Sequence, residues 1–121
     1  IWYQWSGSAW VADDTAWANL TLTNSWAVSG GLTPQWRRIK GVVYLRGKCQ
    51  HATFGSNGTA AFTLASGSRP GQLSDFYTLG GATNVTAAKA SITTGGVTSL
   101  TELVTASGTV YVNLNGISFP I

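Results

Sequence analysis

Side chains that could perform acid–base chemistry are few in this chain of 121 residues, which has four acids and one histidine. The acids are Asp13, Asp14, Asp75 and Glu102. Hydrolysis by a general acid and a general base needs two carboxyl groups that converge. Asp13 and Asp14 are adjacent and point apart in an extended chain, and the other two acids could meet only through the tertiary fold. We therefore expect four loop or surface residues and no enzymatic activity.

Cys49 and His51 could in principle form a nucleophile and its base. They lie two residues apart in a strand-like run and so share a face. A catalytic pair needs hydrogen-bond contact and a third orienting group, whereas side chains two apart on a strand diverge. We expect a buried cysteine beside a histidine at a strand end. One His, one Cys and four scattered acids predict no metal site, and we expect no cofactor.

Aromatic and basic residues that could bind a ligand are concentrated at positions 36–48. In a strand over 42–51, alternation places Val43, Leu45 and Cys49 on one face and the polar residues on the other. Trp and Tyr stack on sugar rings and anchor interfaces, and Trp36 stands beside two arginines. The predicted ligand-binding residues are Trp36, Arg38, Tyr44, Arg46 and Lys48. Ordinary solvent exposure or an intersubunit contact is the alternative for the polar face of this strand.

The charge balance is only mildly basic, at +3 from seven Lys and Arg against four Asp and Glu. Nucleic-acid binders cluster many more cations on one face, so we expect no nucleic-acid partner. Charged residues make up 9% of the chain and six residues are Trp. Such a surface suits protein assembly or sugar contact. No run approaches the roughly 18 apolar residues of a membrane span, and we expect no membrane insertion.

The elements that must position these residues are strands, because no window has the apolar spacing of a helix. Fifteen glycines and many Thr, Val and Ser favour strands and turns. About eight strands are predicted, at 17–26, 35–40, 42–51, 60–64, 76–79, 83–92, 97–104 and 110–118. Turns are predicted at Gly30-Gly31, Asn57-Gly58, Gly80-Gly81 and Gly95-Gly96, with a loop at 66–71. The fold class is all-β: a compact antiparallel β-sandwich or barrel.

The first sixteen residues lack clear alternation, and we expect a connector or N-terminal arm at 1–16 before a β-sandwich head domain at 17–121. Trp2, Trp5 and Trp10 are expected in an intersubunit or stem contact, because a monomer with so many solvent-exposed indole rings would aggregate. Trp17 and Trp26 are expected in the core.

The order of several short motifs resembles the C-terminal domains of bacteriophage tail proteins, of the tail-fibre or receptor-binding head type. The motifs are WRRIKGVVYLRG at 36–47, FTL at 62–64 with Arg69-Pro70, ASITTGGV at 90–97 and VNLNGISF at 112–119. The resemblance implies an extracellular domain at the tip of a virion's tail appendage. It also implies a homotrimer that is attached to upstream tail-fibre or tail-tip proteins and binds a host cell-surface glycan or protein.

Two other functions remain open at this point. One is a structural tail or capsid-decoration domain without receptor activity, which predicts that partner chains cover every large aromatic residue. The other is a carbohydrate-binding module of a secreted enzyme, which predicts a monomer with a flat aromatic strip.

Overall fold

The computed structural model describes residues 15–52, 59–83, 85–103 and 108–121, and the backbone of 3–5 and 10–12. Within these ranges there is no helix, and therefore no helix long and apolar enough to cross a membrane. The strands of the described residues are β1 (Tyr3–Trp5), β2 (Trp10–Ala12), β3 (Ala18–Asn19), β4 (Ala27–Val28), β5 (Gln35–Ile39), β6 (Val42–Arg46), β7 (Lys48–His51), β8 (Ala60–Thr63), β9 (Ser74–Gly80), β10 (Thr86–Ile92), β11 (Val97–Glu102), β12 (Val110–Asn113) and β13 (Ser118–Pro120).

Two antiparallel sheets contain eleven of these strands. The larger has the order β4-β7-β12-β9-β10-β11-β8 and the smaller the order β13-β6-β5-β3, and one of the two curls into a half-barrel. The all-β antiparallel prediction is confirmed. The strands outnumber the predicted eight because the runs at 42–51 and 110–118 each divide in two. In addition, the run at 17–26 contributes only the two residues of β3, and β4 follows it.

Alternating apolar residues of both sheets form the core. In β10, Ala88, Ala90 and Ile92 are buried, and in β12 Val110 and Val112 are buried. The core also contains Trp26, Val43, Leu45, Cys49, Ala61, Phe62, Leu64, Leu100, Leu114, Ile117 and Phe119. Burial of apolar surface on this scale is the main stabilising contribution to a domain of this size. The core prediction is confirmed for Trp26, whereas Trp17 is only half-buried and lies outside this cluster.

Gly47 is the point at which the chain leaves one sheet for the other, so the strand predicted at 42–51 is not continuous. β6 belongs to the smaller sheet and β7 to the larger. The φ of Gly47 is +104°, and a Cβ there would lie 2.5 Å from the Thr33 carbonyl oxygen. Its N–H donates to Asn115 Oδ1 and its carbonyl accepts from the Leu114 N–H. The alternation of β6 therefore ends at Gly47.

The chain returns to the smaller sheet through the turn between β12 and β13, directly beside Gly47. The Leu45 N–H donates to the Ile117 carbonyl at 3.0 Å. The β6–β7 and β12–β13 crossings between the sheets are thus joined, and they close one end of the sandwich. The predicted hairpin at Gly95-Gly96 is confirmed, since it connects the antiparallel strands β10 and β11. The predicted turn at Asn57-Gly58 lies outside the described residues.

The backbone of β1 and β2 pairs in antiparallel fashion, with Tyr3 opposite Ala12. Thr15 is joined to β5, because its N–H donates to the Arg38 carbonyl at 2.8 Å. An arm at residues 1–16 stays a prediction. The side chains of Trp2, Trp5 and Trp10 lie outside the described residues, and so do Asp13 and Asp14.

Candidate ligand-binding face

A two-residue turn sets the register of the β5–β6 hairpin. Lys40 and Gly41 have φ values of 52° and 74°, and positive φ at both central residues is typical of a type I′ turn. The turn places Ile39 opposite Val42, and further along it places Arg37 opposite Tyr44 and Gln35 opposite Arg46. Paired residues share a face of the sheet, so the last two pairs form one patch.

This patch lies on the side of the smaller sheet that faces away from the core. The residues that alternate with it point inward: Val43 and Leu45 are buried, and Trp36 packs against the core. Tyr44 in the patch is 40% exposed. Gln35, Arg37, Tyr44 and Arg46 therefore project from a rigid, core-backed surface.

Trp17 adds an indole ring to the same surface. Ala18 pairs with Trp36, which brings the preceding residue alongside Arg37. The guanidinium carbon of Arg46 lies 3.9 Å from the centroid of the Trp17 ring, and that of Arg37 lies 5.5 Å from it. Each cation–π contact of this kind contributes about 0.5–1 kcal/mol at an exposed site. Two arginines thus share one aromatic ring.

A chain of side-chain hydrogen bonds fixes the rest of the patch. Arg46 Nε donates to Gln35 Oε1 at 2.8 Å, and Gln35 Nε2 donates to Asn19 Oδ1 at 2.8 Å. Arg46 is therefore held both by an amide and by an aromatic ring. The outer-face cluster is defined by Trp17, Asn19, Gln35, Arg37, Tyr44 and Arg46.

The outer-face cluster is positively charged and carries no carboxylate among the residues that the structure describes. The two described acids, Asp75 in β9 and Glu102 in β11, both belong to the larger sheet. The Nε of Arg37 is buried and has no hydrogen-bond partner. A buried donor of this kind costs about 1–3 kcal/mol, and more when it belongs to a charged group.

A shallow depression of about 390 Å³ opens beside the outer-face cluster. Gln35 and Arg46 belong to both, and the remaining lining residues are Gly31, Leu32, Thr33, Gly47 and Asn115. Its volume falls in the range of roughly 300–1,000 Å³ that is usual for small-molecule sites. The lining combines a hydroxyl, two amides and a guanidinium with the exposed side chain of Leu32. This is a surface for hydrogen bonds to a polar ligand that also has an apolar face.

Of the five predicted site residues, the structure brings only Tyr44 and Arg46 together on this surface. Lys48 does not share this surface, because it lies in β7 beyond Gly47 and is 5% exposed. Its Nζ donates to the Ala82 carbonyl at 3.2 Å and lies 5.3 Å from the Tyr111 ring centroid. Lys48 is thus a buried structural cation of the larger sheet.

Trp36 and Arg38 also fall on the wrong side for a shared site with Tyr44. Their partners in β6 are Leu45 and Val43, both of which are buried. Arg38 Nη1 donates to the Gly67 carbonyl at 2.7 Å and to Ser68 Oγ at 3.2 Å. Arg38 therefore anchors the loop between β8 and β9, and Trp36 packs against the core.

Sequence reasoning missed Trp17, Asn19, Gln35 and Arg37. The signal that could have found Gln35 and Arg37 is Lys40-Gly41, because a two-residue turn there fixes which β5 residues oppose Tyr44 and Arg46. Trp17 and Asn19 reach the surface through the pairing of two residues in β3, for which the sequence has no comparable signal.

The Cys49–His51 pair has the structural environment that was expected. Cys49 is fully buried, and burial raises the pKa of its thiol to about 12. Because the thiolate is the reactive form, the thiol is inert at neutral pH. His51, the last residue of β7, donates from Nε2 to the Asn24 carbonyl at 2.9 Å and lies edge-on to Trp26.

The prediction of four loop or surface acids is wrong for Glu102, which is buried. It accepts hydrogen bonds from the Tyr111 N–H at 2.7 Å and from Thr86 Oγ1 at 3.0 Å. Asp75 is exposed in β9 and accepts a hydrogen bond from Ser91 Oγ. In the described part of the chain, no three His, Cys, Asp or Glu residues are grouped closely enough to hold a metal ion.

No model of a known protein family matches this chain, and searches of curated proteins and of solved structures return no match either.

Proposed function

We propose that this chain is a receptor-binding domain of a bacteriophage tail, presented outside the virion, and that its outer-face cluster binds a host cell-surface glycan or protein. The observation that carries the proposal is the arrangement of Trp17, Arg46 and Gln35 beside an open depression. The Trp17 ring holds the Arg46 guanidinium in place, and planar amide and guanidinium groups hydrogen-bond sugar hydroxyls. The resemblance of the motif order to tail head domains supplies the biological setting.

A binding function fits the rigidity of this surface. Four of the six cluster residues lie in the β5–β6 hairpin, and the inner face of that hairpin packs on the core. A ligand would therefore meet side chains that are already ordered, which lowers the entropic cost of association. The proposed activity is recognition without turnover.

Adsorption to host cells and binding to a glycan array test the proposal. The informative variants are Trp17→Ala and Arg46→Gln. Lys89→Gln removes one cation from the larger sheet and is the matched control for glycan binding. Gln72→Ala is the control for adsorption, because Gln72 is exposed in the loop between β8 and β9, outside both the outer-face cluster and the exposed face of β9–β11. We expect both cluster variants to lose adsorption and the adsorption control to retain it. Unchanged adsorption by folded Trp17→Ala and Arg46→Gln proteins would overturn the assignment of the site.

The exposed face of β9–β11 favours assembly with other subunits. It is also the observation that supports the alternative function of a structural tail or capsid-decoration domain. Tyr77 is 72% exposed, and Leu79, Val85 and Leu103 are also exposed. Large apolar patches on a soluble protein mark contact surfaces. We propose that this face joins sister subunits of a homotrimer and that upstream tail-fibre or tail-tip proteins hold the trimer on the virion.

Light scattering after size-exclusion chromatography tests the assembly. We expect a trimer for the parent chain and a monomer for Tyr77→Ser combined with Leu79→Ser. Retained receptor binding by a monomeric variant would separate the two surfaces. A trimer without adsorption or glycan binding would instead favour the purely structural function, and a monomeric parent chain that binds glycan would favour the carbohydrate-binding module.

A further inference from the structure

The outer-face cluster holds Arg46 in place, but no described residue uses the end of its guanidinium group. Its Nε is bonded to Gln35 and its plane is held by Trp17. No described residue accepts a hydrogen bond from its two terminal amino groups. A guanidinium fork that is fixed in this way matches the two oxygens of a carboxylate or sulfate group.

No carboxylate of the described residues lies in the outer-face cluster to balance its charge. Arg37 and Arg46 contact the same indole ring, and two like charges gathered on one ring repel each other. The two acidic side chains in the described part of the chain, Asp75 and Glu102, both lie in the other sheet. An anion bound beside the Trp17 ring would relieve the repulsion between the two guanidinium groups.

The adjoining depression indicates what else the ligand carries. Thr33, Gln35 and Asn115 line it with a hydroxyl and two amides, and Leu32 contributes an apolar side chain that is 47% exposed. These groups suit a pyranose ring with hydroxyl groups at its edge. Two arginines are too few for the phosphate contacts on which nucleic-acid binding depends.

We propose that the outer-face cluster binds an acidic saccharide, with the carboxylate or sulfate group on Arg46 and Arg37 and the sugar ring in the depression. This inference rests on the proposed function and specifies the chemical class of its ligand. Arg46 is the residue that distinguishes an acidic sugar from its neutral counterpart.

Calorimetric titration of the full chain with paired saccharides tests the inference. The carboxylate arm compares 3′-sialyllactose with lactose, and the sulfate arm compares a sulfated chondroitin disaccharide with its desulfated form. We expect binding of the acidic member in at least one arm, at least about tenfold tighter than binding of its neutral partner. We also expect this preference to weaken between about 0.05 M and about 0.5 M NaCl.

Substitutions at Arg46 test whether its guanidinium group causes the preference for the acidic saccharide. Arg46→Gln should reduce the acidic preference by about tenfold, Arg46→Lys should restore part of it, and Lys89→Gln should leave it intact. Circular dichroism confirms that each variant is folded. Equal binding of acidic and neutral partners, or a preference that survives Arg46→Gln, would overturn the inference.

The remaining outcomes separate this inference from the proposed function. Host adsorption that depends on Trp17, with no preference for either acidic sugar, would reject the acidic ligand and leave the receptor function standing. Absence of both adsorption and glycan binding would reject both. Tighter binding of a double-stranded oligonucleotide than of any saccharide would replace the proposed ligand with nucleic acid.

Discussion

The guanidinium group of Arg46 lies over the indole ring of Trp17, with its carbon atom 3.9 Å from the ring centroid. This contact joins β6 to the segment that precedes β3, two parts of the smaller sheet that do not pair directly with each other. We predict a coupling free energy of about 0.5–1 kcal/mol between the two side chains. A double-mutant cycle of Arg46→Ala and Trp17→Ala, measured by urea unfolding, provides the value.

A second cycle serves as the control for this coupling. Trp17→Ala with Lys89→Ala combines the same tryptophan with a cation on the other sheet, and the two losses should add within about 0.3–0.5 kcal/mol. Additive losses in the Arg46 cycle as well would show that the stacking contributes nothing to stability.

Gly47→Ala should be among the most destabilising single substitutions in the chain. A Cβ at Gly47 would lie 2.5 Å from the Thr33 carbonyl oxygen and 2.6 Å from Pro34 Cα, so the backbone would have to shift. We expect a loss of about 3 kcal/mol or more in the free energy of unfolding. The depression lined by Thr33 and Gly47 should be distorted as well.

Gly30→Ala is the matched control, because Gly30 also has a positive φ, of 62°, but no atom lies within 4 Å of the added Cβ. Its expected loss is about 1–2 kcal/mol, from backbone strain alone. Thermal unfolding of both variants measures the difference. Equal losses would show that the close approach to Thr33 and Pro34 is unimportant.

Local periodicity in the sequence correctly places two of the five predicted site residues on one face of β6, but it does not extend beyond the end of that strand. Tyr44 and Arg46 share a face because β6 is an unbroken strand of period two. Lys48 continues that alternation in the sequence, but the positive φ of Gly47 sends the chain into the other sheet. One glycine therefore separates Lys48 from the face that Tyr44 and Arg46 share.

The choice of tryptophan illustrates a different limit. Trp17 and Trp36 are equally good candidates for a sugar-binding residue when only residue type is considered. Strand pairing decides which of the two side chains faces the core. Trp36 pairs with the buried Leu45, whereas Trp17 meets the outward guanidinium of Arg46. The Lys40-Gly41 turn could have excluded Trp36 from the outer face, but the position of Trp17 depends on contacts that are distant in sequence.

Glu102→Ala should lower the free energy of unfolding because the buried carboxylate accepts two hydrogen bonds. The substitution removes the acceptor of the Tyr111 N–H and of the Thr86 hydroxyl. An unsatisfied buried N–H costs about 1–3 kcal/mol, and the cavity that forms adds to this. We expect about 2–4 kcal/mol in total, measured by chemical denaturation.

Asp75→Ala is the comparison for Glu102, because Asp75 is the other described acid and is exposed in β9. The Asp75→Ala substitution should lower the free energy of unfolding by no more than about 0.5–1 kcal/mol. Glu102→Gln retains the shape of the side chain and one acceptor oxygen, so its loss should lie between the two. A Glu102→Ala protein as stable as Asp75→Ala would contradict the structural assignment of Glu102.

The Cys49 thiol should make stability fall at alkaline pH. Burial raises its pKa from the ordinary value of 9.0 to about 12, so the folded protein holds this proton more tightly than the unfolded chain does. The stabilising contribution is complete below pH 9 and is lost as the pH rises towards 12. The expected slope is about 1.4 kcal/mol per pH unit between these values.

Cys49→Ala isolates this slope from the titration of lysine and tyrosine side chains. The variant should be less stable than the parent chain at pH 7, because a buried sulfur atom is lost, but the gap should narrow as the pH rises above 9. Urea unfolding at a series of pH values measures the gap. A thiol reagent should also modify native Cys49 only at the rate of unfolding, since the thiolate is not formed in the core. Rapid modification of the native protein, or a gap that stays constant with pH, would show that the thiol is accessible to water.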